Sequence, residues 1–239
     1  MQLEFITGFG ILLAYFIVCA ASALALRRLV AFPSEVFRKT LHIILIGSIF
    51  VFTYAFRTWW VSAIAAAAFA AVVFPILMLA ERIPGYSKLL TERKKGEIKN
   101  SLVVVFGMFT VLICVCWGWF GEKYLVIASV LAWGLGDAAA ALVGKRFGQH
   151  YIEGKLVEGR KSLEGTISMF VVSFITVIAV LLVSGSVVRY SSIPIAFVTA
   201  AVCSVVELYT RGGMDTLTCP LAAAAVLIPM VYVCGGVTL

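Results

Sequence analysis

The segment Trp133–Gly148, WGLGDAAAALVGKRFG, places one carboxylate, Asp137, inside a run that is otherwise soluble in lipid. A charged side chain near a bilayer centre costs about 2.5–3.5 kcal/mol on insertion scales, so an acid kept there needs a partner, a metal or water. A basic, glycine-rich stretch follows. Lys145, Arg146, Lys155, Arg160 and Lys161 alternate there with Gly148, Gly154 and Gly159. Glycine lets backbone N–H groups approach phosphate oxygens, and Lys and Arg neutralise their charge. Next comes RKSLEGT, Arg160–Thr166, at the start of an apolar run, so Ser162 is placed to cap a helix whose first amides face an anion. Glu164 reads either as a partner of the helix dipole or as part of that anion site. The fragment GKLVEGRKS, Gly154–Ser162, approaches a P-loop. It is excluded as one, because Arg160 separates Gly159 from Lys161 and no strand is expected before it.

Two further clusters carry polar chemistry. In FRKTLHI, Phe37–Ile43, Arg38 and Lys39 precede His42 by four and three residues and share a helical face with it. His42 is suited to donate a hydrogen bond to phosphate, or to act as a base near neutral pH. In ELYTRGGMDTLTCP, Glu207–Pro220, Glu207 and Arg211 have the spacing of a helical ion pair, Gly212 and Gly213 that of a turn, and Asp215 has no such evident partner. Asp137, Glu164 and Asp215 are hard oxygen donors of the kind magnesium takes together with substrate phosphates. In the stretch Glu81–Asn100, Arg93, Lys94 and Lys95 read as headgroup contacts or orientation signals. The six cysteines all fall in apolar segments without metal-ligand spacing and are read as packing residues.

The elements that must position these groups are set by hydropathy. Of the 239 residues 62% are hydrophobic, against about 45–50% in soluble domains, and the mean hydropathy is +1.07. The predicted fold is all-α, a polytopic membrane helix bundle forming a single integral membrane domain over 1–239. About eight transmembrane helices are expected, near 5–26, 41–56, 59–80, 102–120, 124–143, 164–184, 192–208 and 219–236. The first apolar run is too long, and lacks the basic start, for a cleavable signal. All but three of the 19 Lys and Arg residues fall in odd-numbered connections, the exceptions being Arg57, Lys123 and Arg189. Cytoplasmic loops collect such residues, so both termini are expected outside, N-out and C-out. The net charge of +7 is thereby read as topology plus an anion site. Nucleic acid is excluded as a partner, since no basic stripe with interleaved aromatics lies on a soluble surface. Small-residue faces for close helix approach are legible in SAIAAAAFAAVVF, Ser62–Phe74, and in the Gly136, Ala140, Gly144 series.

Taken in order, these pieces resemble the polyprenol kinase family, which includes dolichol kinases, phytol kinases and CTP-dependent diacylglycerol kinases. The resemblance covers Arg38 to Pro220. It is carried by Arg38, Lys39 and His42, by Gly136, Asp137, Ala138 and Gly144, by Lys161, Ser162, Glu164, Gly165 and Thr166, and by Glu207, Asp215, Leu217 and Pro220. It departs at Thr216, where the family commonly has Asn. The resemblance implies transfer of the terminal phosphate of CTP to the hydroxyl of a membrane lipid alcohol, with a divalent metal, at the cytoplasmic face of a prokaryotic plasma membrane. On that reading Lys145, Arg160, Lys161, Ser162, Glu164, Gly165 and Thr166 hold the nucleotide. Asp137, Asp215 and Glu164 hold Mg2+, and Asp137, His42 and Lys39 are the catalytic candidates, with Asp137 and His42 both open as proton acceptor. Two other readings fit some of the residues: a CTP-dependent lipid cytidylyltransferase, and an ion-coupled transporter using Asp137.

Overall fold

The computed structural model describes residues 1–30, 33–84, 86, 90–91, 96–152, 154, 157, 160–185 and 187–234. Arg93, Lys94, Lys95, Lys155 and Gly159 lie outside them, as does the side chain of Cys234. Among the described residues eight helices are long and apolar enough to cross a membrane, and each overlaps one expected span. The protein is an all-α integral membrane protein. Contacts group the chain into two compact units, 1–118 and 119–239, each containing four of the spans.

The first unit contains α1 (Gln2–Leu29), α2 (Ser34–Gly47), α3 (Ile49–Tyr54), α4 (Trp59–Ala80) and α5 (Glu97–Leu112), which runs on into a π-helical turn, Ile113–Trp119. The second expected span is made of two helices, α2 and α3, broken at Ser48. The Tyr15 hydroxyl donates to the Ile44 carbonyl at 2.7 Å, satisfying an acceptor that the break releases. Between lipid-embedded helices packing takes the place of the hydrophobic drive. Here aromatic rings supply it: Phe69 stacks on Phe106 and on Phe16, with centroids 4.8 Å apart in both pairs, and Phe52 meets Phe106 and Phe109 edge-on at 5.8 Å. The buried Ala65 and Ala66 of α4 give the close approach expected of its alanine run. The Glu4 carboxylate accepts from the Arg57 and Thr58 amides at 2.8 and 2.9 Å, so α1 caps the first turn of α4.

The second unit contains α6 (Lys123–Phe147), a short hairpin of β1 (Tyr151–Ile152) and β2 (Lys161–Ser162), α7 (Leu163–Ser184), α8 (Arg189–Tyr209) and α9 (Asp215–Cys234). The strands pair antiparallel, Tyr151 opposite Ser162 and Ile152 opposite Lys161. A strand therefore does precede the basic stretch, against expectation. It pairs in a hairpin, and Lys161 and Ser162 lie on a strand themselves, so a P-loop stays excluded. Helix α7 lies between α6 and α8, and α9 contacts both α8 and α6, closing a ring of four. The expected small-residue face of α6 is what admits α7. A Cβ at Gly136 would lie 2.5 Å from the Ser173 hydroxyl, and one at Gly165 would lie 3.0 Å from the Ala140 carbonyl. Ser173 uses this proximity to donate to the Ala132 carbonyl at 2.7 Å.

Candidate active site

One end of the second unit gathers most of the expected residues. Asp137 is half-buried on α6, nearly three turns before the helix ends at Phe147. Beyond it, Gly144 and Gly148 lie against the side chain of Ser162, which is 4% exposed. The Ser162 hydroxyl accepts from the Gly165 amide at 3.1 Å and so caps α7, as its position in the sequence predicts. Thr166 donates back to the Ser162 carbonyl at 3.2 Å. These three residues thus build the turn that leads the hairpin into α7, and the Gly165 amide is already engaged within it.

Glu164 faces the other strand of the hairpin. Its Oε1 accepts from the His150 amide at 3.1 Å and lies 2.8 Å from His150 Nδ1, while Oε2 is buried without a hydrogen-bond partner. Arg160 stacks its guanidinium over the Tyr151 ring at 4.6 Å, and Lys145 is exposed on the last turn of α6.

Lys161 points from β2 to the end of α8. Its ammonium lies 2.9 Å from Glu207 Oε1 and also donates to the Glu207 carbonyl. Helix α8 stops at Tyr209, so Arg211 lies beyond it rather than on the shared face that the spacing predicted. Gly212 and Gly213, with φ of 65° and 75°, make the expected turn in a backbone region that other residues rarely adopt. Asp215 then opens α9, and the hydroxyls of Thr210 and Thr218, 3.1 Å apart, tie the two helices together. Asp215, Glu207 and Asp137, from three different helices, lie within electrostatic range of the buried Cys219 thiol.

Arg38, Lys39 and His42 belong to the first unit, on α2. Arg38 pairs with Glu35 at 2.5 Å and reaches Glu97 of α5 at 3.8 Å. Lys39 is 4% exposed and His42 half-buried. A second pair, Lys99 with Glu81 at 2.7 Å, joins the start of α5 to the end of α4. Glu35, Glu97 and His150 were not singled out in the sequence. Their partners explain why: only the i, i+3 spacing of Glu35 to Arg38 is visible along the chain.

Family profiles give no match to the chain, and no solved structure matches it. A curated protein does: the chain is 31% identical over 231 residues to a phytol kinase of Synechocystis sp., covering 95% of this chain and 92% of that protein. The chain belongs to the polyprenol kinase family. This kinase is therefore a membrane phosphotransferase of the class whose acceptor is an alcohol. Phosphoryl transfer asks a protein chiefly for positioning and charge neutralisation, and the second unit offers cationic and acidic groups at one end.

The acids also bear on a metal. Magnesium is commonly held by one or two carboxylates together with substrate phosphates. Among the described residues no group of three His, Cys, Asp or Glu side chains is placed to hold an ion unaided. Asp137 and Asp215 are oxygen donors of that kind, and Oε2 of Glu164 is buried without a hydrogen-bond partner.

Proposed function

We propose that this kinase transfers the γ-phosphate of CTP to the hydroxyl of a long-chain isoprenoid alcohol, phytol being the first candidate, at the cytoplasmic face of a prokaryotic plasma membrane. The observation that carries the proposal is the contact of Lys161 with Glu207 at 2.9 Å, which brings the basic hairpin to the end of α8. The likeness to the Synechocystis phytol kinase supports the choice of an isoprenoid acceptor, and the family resemblance supports CTP as donor.

In this reading Lys161, Lys145 and Arg160 neutralise the triphosphate as it lies along the hairpin, which keeps its backbone short and its cations close. Ser162, Gly165 and Thr166 hold the first turn of α7 behind it, the positive end of the helix facing the phosphates. Asp137 and Asp215, with Glu164 as a further donor, would hold Mg2+, which when bound supplies charge neutralisation at the phosphate oxygens. The alcohol oxygen attacks the γ-phosphorus, the bond to the bridging oxygen breaks, and the nucleoside diphosphate leaves. The hydroxyl proton passes to a carboxylate of the second unit, Asp137.

The test is transfer of label by purified protein in vesicles containing phytol, a polyprenol or diacylglycerol. With γ-labelled CTP, label should appear in phytyl monophosphate, and ATP should serve less well. Cytidine label entering lipid would establish a cytidylyltransferase instead. Solute uptake without nucleotide would establish a transporter.

A further inference from the structure

The contact between Lys161 and Glu207 is made across 46 residues of chain, and it engages the lysine twice, through the carboxylate at 2.9 Å and through the main-chain carbonyl. An ammonium has three N–H donors. Two are turned to Glu207, which leaves one for another acceptor. The lysine stem starts from β2, where Lys161 pairs with Ile152, so the side chain is fixed at its root by the hairpin and at its tip by α8. Both side chains are largely buried, 20% exposed for Lys161 and 13% for Glu207. A lysine on a free loop has a flexible four-carbon stem and no set direction. This one has a direction.

We propose that Glu207 is a positioning residue, which fixes the Lys161 ammonium with its third N–H toward the phosphates of the nucleotide. The inference rests on the reading that Lys161 binds the triphosphate. Glu207 acts through Lys161 and needs no contact with substrate.

A double-variant cycle tests the proposal on the full-length protein in detergent, with CTP affinity read from the CTP-dependent rise in Tm, which requires no turnover. Glu207→Ala should weaken CTP binding about tenfold in the wild-type background and have no further effect once Lys161→Ala is present. Glu207→Gln keeps an oxygen acceptor without the charge, and should weaken binding about threefold with Lys161 and not at all with Lys161→Ala. This milder variant reads the same cycle if the alanine protein fails to insert. In turnover assays the loss should appear in KM for CTP, with kcat within about twofold of wild type. Equal losses in both Lys161 backgrounds, or a lowered Tm with unchanged affinity, would make Glu207 a structural link only. A wild-type protein with no CTP-dependent stabilisation overturns the proposal. A wild-type protein that binds CTP, obeys the cycle and transfers no phosphate to any alcohol overturns the kinase reading and leaves the pair standing.

Discussion

Asp137 is the residue whose presence most needs a chemical reason, because an acid within a span costs about 2.5–3.5 kcal/mol near the centre and less toward its ends. It is half-buried, so its charge is useful only where cations join it. Asp137→Asn should lower phytol phosphorylation by about 10²–10⁴-fold, the range of a lost acid–base group, while membrane insertion stays intact. Full activity in that variant would remove Asp137 from the site. Lys161→Ala should raise KM for CTP more than it lowers kcat, since a group that only holds the nucleotide contributes equally to ground and transition states. His42→Ala tests one of the two candidate bases: loss of an acid limb near neutral in the pH–rate profile would assign the proton to His42, and an unchanged profile would exclude it.

At the scale of elements, the hairpin and the α6–α7 contact decide whether these residues meet. Gly136 leaves no room for a side chain, since its Cβ would come within 2.5 Å of the Ser173 hydroxyl. Gly136→Ala should therefore displace Ser173 from the Ala132 carbonyl and cost about 1–3 kcal/mol of overpacking, measurable as a lower Tm in detergent with activity falling in parallel. Ser162→Ala removes the cap of α7 at a cost of about 1 kcal/mol, and it should loosen CTP binding because Lys161 is its neighbour in β2. The helices were readable in advance, since a long apolar run is a local property of the chain. Their ends were not. α5 starts at Glu97 and α6 reaches Phe147, several residues beyond the apolar stretches, because helical hydrogen bonding continues through polar residues that hydropathy counts as loop. The hairpin left no mark either: two strands of two residues each are too short for alternation to show.

For the whole molecule, the excess of Lys and Arg in odd-numbered connections predicts both termini outside. In a cysteine-free background, Arg189→Cys should react with an impermeant maleimide in intact cells, and Lys145→Cys only after permeabilisation. The opposite pattern would invert the proposed site. The sequence by itself determined the membrane class, the eight spans and the chemical groups on offer, because length of apolar run and residue type are properties of consecutive positions. Tertiary structure decided which acid meets which base. Glu207, which the spacing along the chain offers only to Arg211, holds Lys161 from 46 residues away. That contact follows from where α8 ends and from how closely Gly136, Gly144 and Gly165 let α6 and α7 approach, and such distances exist only once the helices have packed.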